Sequence, residues 1–468
     1  MKPVYIVSWL FALAVSFVSC DDWLDKTPKD RLYPDVYFKT EDELRLFTNQ
    51  FYNNLVPSAV DIYSESSDLI VKSDLMLEMS GQRIIPDEGN GWNFTALRDI
   101  NFYLQYSHNC TEVNARNRYD GVARFFRAYF YFEKVKRYGD IPWYDKALDS
   151  DDPELYKARD SREFVMQKTL EDLDFAIANL PKTKNAYVLT RWTALALKSR
   201  VCLFEGTFRK YHGLEDCEKY LNACVSASET FMNESGYTLY KSGSTPYRDL
   251  FASINLQADE VIFGRDYEAS LSVLHNVQNY ENSTTMGRPG MNKKIVNSYL
   301  MADGSRFTDK AGYETMTFDQ ECQNRDPRLA QTIRTPGYTR IGSTKKEAPN
   351  LAYTMTGYHL IKYSMTANYD EYNKSCNDIP LFRTAEVYLN FAEAKAELGT
   401  LKQADINKSI KLLRDRVGMT NLDMELANSK PDPYLMSAAT GYPNVKGANQ
   451  GVILEIRRER TIELAMEG

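Results

Sequence analysis

Cys20 is the residue whose position points most clearly to a chemical reaction. Lys2 precedes an apolar run over residues 4–18, which ends at Ser19-Cys20 and is followed by two aspartates. A charged start, a short apolar stretch and a small residue before the break are typical of a cleaved secretion signal. We therefore predict a signal peptide over residues 1–19 and acylation of Cys20, which would anchor the following domain to a membrane surface. The alternative is ordinary signal cleavage near Ser19 without a lipid.

Metal and cofactor chemistry have little support in the sequence. The other cysteines and the histidines are scattered, without a CxxC pair or the Cys/His spacing of zinc sites. We expect no metal, no cofactor, mostly buried thiols and no disulfide between Cys217 and Cys224, whose separation is too long for an easy bridge within one helix. No catalytic triad can be built from the isolated histidines. These residues are Cys110, Cys202, Cys217, Cys224, Cys322, Cys376, His108, His212, His275 and His359.

The composition favours a binding surface for neutral or polar ligands over one for nucleic acid. With 57 basic and 64 acidic residues the formal net charge is −7, so no overall basic field exists. The chain contains 32 Tyr, 22 Phe and 5 Trp, and Tyr and Trp combine an apolar face with a polar edge, which suits sugars. Most of these rings are equally well explained as packing in a large scaffold.

Apolar residues three and four apart predict a chain built mainly from paired helices. Ser161 and Thr190 stand where N-caps belong, and Gly139, Pro181 and Gly399 stand where helices end. Helical hairpins of this kind follow the logic of tetratricopeptide arrays. Residues 236–377 instead read as a loop-rich insert with small strands, such as one at Val261 to Phe263. The predicted helices span 41–55, 92–117, 121–138, 161–180, 190–208, 215–233, 381–398 and 401–417.

Short motifs follow one another along the chain in a fixed order. Two lie in the second predicted hairpin region, ARFFRAYFYF at 123–132 and RYGDIP at 137–142; the others are CDDWL at 20–24, SYLMADG at 298–304, RDPRL at 325–329, LFRTAEVYL at 381–389 with AEA at 392–394, and ER at 459–460 with ELAMEG at 463–468. Together they resemble the SusD/RagB family of nutrient-binding outer-membrane lipoproteins of Bacteroidetes.

The resemblance implies a fold and a role. The implied fold class is mainly α, with tetratricopeptide-like helical hairpins and a loop-rich, small-strand insert. The implied regions are a signal peptide (1–19), an N-terminal helical region (20–235), the insert with ligand-facing loops (236–377) and a C-terminal helical region (378–468). The implied role is to capture oligosaccharide at the cell surface and pass it to a SusC-like TonB-dependent transporter, without catalysis or a cofactor.

The resemblance also suggests site residues. Trp92, with Asn93 beside it, stands in the loop that supplies a glycan-contacting tryptophan in relatives, although Trp92 could instead be a core residue. Tyr280 stands in the insert where family loops bring another aromatic ring, and Arg83 is a weaker candidate upstream of Trp92. The remaining motif residues read as structural: we expect Arg124, Arg127, Arg383 and Glu386 to form buried or half-buried ion pairs.

The sequence leaves two alternative functions open and differs from the family pattern at its C-terminal end. A glycoside hydrolase would need two carboxylates roughly 5 to 9.5 Å apart, which 64 acidic residues permit, yet no glycosidase motif accompanies them. A helical-repeat protein that captures peptide or glycoprotein is the second alternative. Relatives usually continue past the final Glu-Gly, so we expect the C-terminal region to be truncated, with the packing there affected.

Overall fold

The computed structural model describes residues 34–63, 67–86, 89 and 91–467. The predicted signal peptide and Cys20 lie outside these residues, and so does Gly468. None of the helices in the described part of the chain is both long and apolar enough to cross a membrane.

Long helices dominate the N-terminal half of the protein, with two four-residue helices, α2 and α3, after the first of them. They pack in sequence, with α5 on α6 and α7 on α8, and α8 also packs against the later helix α14. The link between α7 and α8 is short, as a helical hairpin requires, whereas residues 139–161 join α5 to α6. The bounds are α1 Glu41–Leu55, α2 Val60–Tyr63, α3 Leu77–Ser80, α4 Thr95–Tyr106, α5 Val113–Tyr138, α6 Arg162–Asn179, α7 Arg191–His212 and α8 Cys217–Glu234.

Shorter helices fill the rest of the chain. Their bounds are α9 Pro246–Asp249, α10 Val277–Asn282, α11 Lys293–Ser298, α12 Phe318–Glu321, α13 Leu329–Thr332, α14 Thr384–Glu397, α15 Gln403–Asn407, α16 Ile410–Arg416, α17 Met424–Ser429, α18 Pro433–Met436 and α19 Gln450–Glu463. The strands in the described part are equally short and form two antiparallel pairs, β1 (Ile70–Val71) with β3 (Gly290–Met291), and β2 (Val261–Arg265) with β4 (Ile379–Arg383). The mainly helical fold class and the small strand at Val261 are confirmed.

Capping residues fix the helix ends that the sequence predicted. The Ser161 hydroxyl accepts a hydrogen bond of 3.3 Å from the Phe164 N–H at the start of α6, and the Thr190 hydroxyl accepts one from the Thr193 N–H at the start of α7. Both satisfy N–H groups that would otherwise lack a partner in the first turn. Gly139 ends α5 at φ 71°, ψ −111°, a conformation that side chains disfavour.

Three predicted helical spans do not form the single helices that the sequence suggested. The span 92–117 is divided, because the chain turns after Tyr106 and the Asn109 side chain donates to the distant carbonyl of Pro34 at 2.7 Å. Its last residues belong to α5, which continues through the predicted break at 118–120. The span 381–398 begins as strand β4, because its first residues pair with β2. The span 401–417 breaks at Ser409, whose backbone is not helical, into α15 and α16. Local periodicity carries no information on such distant contacts.

The largest core cluster lies among the N-terminal helices and is rich in aromatic rings such as Phe126, Tyr131 and Phe132. A buried charge pair crosses it, since Arg127 binds Asp172 with Nε···Oδ2 at 2.6 Å and Nη2···Oδ1 at 2.8 Å. Arg124 approaches the same carboxylate at 3.7 Å. The ARFFRAYFYF motif is therefore structural, as predicted.

A second buried ionic cluster joins the later motifs to the last helix. Arg328 of the RDPRL motif binds Asp326 at 2.7 Å, Glu459 at 2.5 Å and Glu463 at 3.0 Å. Arg383 of β4 binds Glu463 at 2.7 Å. Burial alone would raise the pKa of Glu463, but the surrounding arginines outweigh burial and hold it well below its ordinary value.

The structure also shows the ion pair of Glu386 and the state of the cysteines. Glu386 of α14 binds Arg200 of α7 with Oε1···Nε at 2.6 Å, so its prediction as an ion-pair residue is confirmed. Cys217 and Cys224 are free, as are the other cysteines that the structure describes. Between Pro34 and Glu467, the described His, Cys, Asp and Glu side chains form no group of three or more that could hold a metal ion.

Candidate functional site

Trp92 lies in the loop before α4 with 39% of its surface exposed. Two hydrogen bonds hold the backbone that leads into Trp92: the Trp92 N–H donates to the Gly89 carbonyl at 3.0 Å, and the Lys134 ammonium of α5 donates to the Gly91 carbonyl. An exposed tryptophan on an anchored loop is a common way to present a rigid apolar surface to a ligand. The alternative, that Trp92 is a core residue, does not hold.

Four rings form a continuous aromatic arc around Trp92. Its ring centroid lies 4.9 Å from that of Tyr138 and 5.3 Å from that of Phe94, and Phe94 lies 5.8 Å from Tyr144. Each contact is edge to face, the arrangement favoured by the charge distribution of aromatic rings. We call these residues, Trp92, Phe94, Tyr138 and Tyr144, the aromatic arc.

Trp92, Phe94 and Tyr144 open onto a cleft of about 530 Å³, which we call the Trp92 cleft. This volume lies in the usual range of small-molecule binding pockets. The cleft combines aromatic and aliphatic walls with a few polar and basic groups. Its lining residues are Trp92, Phe94, Thr95, Leu97, Arg98, Asn101, Pro142, Tyr144, Lys146, Leu148, Leu155, Lys157, Ala158 and Arg159.

Hydrogen bonds fix the walls of the Trp92 cleft before any ligand arrives. The Asn101 amide donates to the Tyr144 carbonyl at 2.8 Å and accepts from Arg127 at 3.2 Å. Arg98 Nε donates to the Leu148 carbonyl at 3.2 Å, and the Tyr144 hydroxyl donates to the Glu154 carbonyl at 3.1 Å. Helix α4 and the 142–159 segment are thereby tied together, so ligand binding needs little ordering of the cleft.

Asn93 faces a different cavity from its neighbour Trp92. Its side-chain oxygen accepts the Thr95 N–H at 2.8 Å, a local turn that starts α4. Asn93 lines a larger cavity of about 1250 Å³ between the first helices and strand β4, and Thr95 borders both cavities. The structure therefore separates two residues that the sequence suggested would meet one ligand.

Many charged groups of that larger cavity already have partners. Lys136 binds Glu133 at 2.7 Å, and the Arg200–Glu386 pair described above also borders it. These charged groups therefore stabilise the scaffold and are less accessible to a ligand.

Tyr280 and Arg83 do not join the Trp92 cleft. The Tyr280 ring is only 2% exposed, because its segment is not a loop but the short buried helix α10. Its prediction as an exposed ligand contact is therefore wrong in this structure. Arg83 is exposed but lines neither cavity. The residues that line the Trp92 cleft also include none from the insert, where we expected the ligand-facing loops.

Sequence reasoning missed the residues that complete the cleft. Tyr144 follows the helix exit at Pro142 by two positions, which could have been a signal that the chain turns back over α5. Arg98 stands three and four residues after Thr95 and Phe94, so helix geometry could have placed it beside them. Arg159, whose guanidinium lies 4.8 Å from the Trp92 ring centroid, carried no local signal.

Comparison with known proteins places this architecture in a family. The model of the SusD family matches residues 250–468, and a second model, described as starch-binding associating with outer membrane, matches residues 82–191. The chain belongs to the SusD/RagB family, a family of non-catalytic binding proteins. All residues that line the Trp92 cleft fall within the second matched segment.

Relatives cover nearly the whole chain. SusD-like protein P2 of Formosa agariphila is 25% identical, with 97% of this chain and 87% of the relative aligned. SusD-like protein P25 of the same organism is 21% identical, with 91% and 84% aligned.

Solved structures share the fold. A SusD-like protein of Bacteroides fragilis superposes with a TM-score of 0.70 at 22% identity, covering 94% of this chain and 87% of that one. A SusD-like carbohydrate binding protein of the same species has a TM-score of 0.68 at 18% identity, covering 92% and 85%.

Proposed function

We propose that this protein binds an oligosaccharide in the Trp92 cleft and delivers it to a SusC-like TonB-dependent transporter in the outer membrane. The single observation that carries the binding proposal is the exposed, anchored Trp92 at the mouth of a cleft with two further aromatic rings. Aromatic faces pack against the C–H faces of sugar rings, while polar groups nearby meet the hydroxyls.

The family comparisons support this reading of the cleft. The matched segment 82–191, whose family model is described as starch-binding, contains the complete lining of the Trp92 cleft. One solved relative is itself a SusD-like carbohydrate binding protein. Support therefore comes from both the geometry and the position of the cleft within the family.

The proposed location is the outer membrane, with the protein anchored through lipid on Cys20 and exposed at the cell surface. The family description of association with the outer membrane supports the membrane, and the pattern of residues 1–20 supports the anchor. We also propose that the chain is divided into helical regions at 20–235 and 378–468, with the insert at 236–377 between them.

Calorimetry against a panel of plant, host and microbial oligosaccharides tests the binding proposal. We expect binding without release of new reducing ends, and loss of binding in Trp92→Ala. Tyr372→Ala is the matched control, because it removes another exposed ring, 66% accessible, that does not line the cleft. Equal affinity of the Trp92→Ala variant and the native protein would refute the cleft as the binding site, and binding of peptides alone would favour a peptide ligand.

A further inference from the structure

The charges that line the Trp92 cleft have one sign. Four basic side chains border it, and among the residues that the structure describes no carboxylate does. This is unexpected in a chain whose formal net charge is −7, so the basic character is a local property of the cleft. The four are Arg98, Lys146, Lys157 and Arg159.

The two lysines are neutralised by neighbouring acids. Lys146 Nζ lies 3.0 Å from a Glu154 oxygen, and Lys157 Nζ lies 3.0 Å from an Asp160 oxygen. Lys157 also donates to the Trp143 carbonyl at 2.6 Å. These two ammonium groups serve the walls of the cleft.

The two arginines have no such partner. In the described part of the chain, no carboxylate forms an ion pair with either guanidinium at 4.0 Å or less. Arg98 donates one hydrogen bond to a backbone carbonyl. Burial raises the pKa of the adjacent Asp99, and the charge of Arg98 acts to lower it without direct contact. Arg159 is exposed and rests over the Trp92 ring at 4.8 Å.

The position of Arg159 joins charge to the aromatic surface. Because the guanidinium lies over the indole, a saccharide that contacts Trp92 also meets a cation. Guanidinium groups bind carboxylates and sulfates through paired N–H donors, and charge-assisted bonds of this kind are stronger than those to neutral hydroxyls.

We propose that the Trp92 cleft selects anionic saccharides, whose uronate carboxylate or sulfate ester pairs with Arg159 and Arg98 while a sugar ring packs on the aromatic arc. This inference rests on the proposed function, since it names the class of ligand for the same cleft. It accounts for two cations that the fold leaves without a carboxylate partner at a ligand-sized opening.

Matched probes that differ at the acidic group test the proposal. Calorimetry with the purified protein compares oligogalacturonate with its fully methyl-esterified form, and sulfated carrageenan oligosaccharides with their desulfated forms. We expect one charged member to bind roughly ten-fold or more tightly than its neutral counterpart. The preference should weaken as salt is raised, because exposed charges are screened. The two pairs distinguish a carboxylate ligand from a sulfate ligand.

Charge-removing variants then assign the preference to residues. Arg159→Gln and Arg98→Gln should each bring the charged and neutral probes closer in affinity. Arg45→Gln, at an exposed position of α1 that pairs with Asp42, should leave the preference unchanged. A urea-unfolding midpoint equal to that of the native protein shows that each cleft variant is folded.

Three results would overturn the proposal. Equal affinity for charged and neutral probes, both lost in Trp92→Ala, would remove the anion selectivity and leave the proposed function standing. A preference that persists in both arginine variants would place the anion elsewhere. Silence toward every probe, together with silence toward the neutral panel, would count against the proposed function itself.

Discussion

Replacing Glu281 by glutamine should change how the stability of this protein depends on pH. Glu281 lies on α10 and is fully buried. Its carboxylate accepts hydrogen bonds from the Tyr363 N–H at 3.1 Å and from the Ser364 hydroxyl at 2.7 Å. Burial raises the pKa of Glu281 from an ordinary value of 4.5 to about 7, although these hydrogen bonds and the charges of Arg248 and Arg340 act to lower it.

The magnitude follows from the difference between the folded and unfolded pKa. Between about pH 4.5 and pH 7 the native protein holds this proton more tightly than the unfolded chain does, so stability falls as the pH rises through that window. The full effect is about 3 kcal/mol, of which roughly 2.5 kcal/mol falls between pH 5 and pH 8. Glutamine copies the neutral form of the acid and does not titrate.

Urea unfolding of the native protein and Glu281→Gln at several pH values measures this difference. We expect the free energy of unfolding of the variant to gain on that of the native protein by about 2 to 3 kcal/mol from pH 5 to pH 8. Glu371→Gln, at an exposed position of the insert, is the control and should track the native protein. Parallel curves for Glu281→Gln and the native protein would refute the reasoning.

Two further substitutions test the scaffold by urea unfolding. Arg127→Ala should lower the free energy of unfolding by about 3 kcal/mol, because the buried Asp172 loses both close hydrogen bonds and keeps only Arg124 at 3.7 Å; a loss below about 1 kcal/mol would contradict the buried pair. Gly139→Ala should cost about 1 to 3 kcal/mol, since φ 71°, ψ −111° is open mainly to glycine. Gly213→Ala, at the left-handed helical values φ 67°, ψ 30°, should cost less, and equal losses at the two glycines would contradict this account.

Helices could be predicted from the sequence where local signals determine their ends. Helix α1 begins and ends as predicted, and Thr40 caps it with a hydrogen bond from the Glu43 N–H. Prediction failed where a distant partner determines the backbone conformation. An example is β4, whose residues pair with a strand more than a hundred positions earlier. Pattern reasoning covers short-range geometry and not such pairing.

The candidate site was predictable only in part for a related reason. Trp92 could be suggested because the Gly-rich segment around it resembles a ligand-contacting loop of the SusD/RagB family. Tyr144, which contacts Phe94, and Arg159, which contacts Trp92, come from a segment roughly fifty to seventy positions later, through a turn whose direction depends on packing against α5. Tyr280 looked like a loop residue, yet α10 is buried against the rest of the insert.

The most direct measurement for the central claim is a crystal structure of the protein soaked with an oligosaccharide that it binds in calorimetry. The account predicts sugar density in the Trp92 cleft, with a ring against Trp92 and polar groups facing Arg159. Density confined to the larger cavity near Asn93, or to any surface away from Trp92, would contradict it.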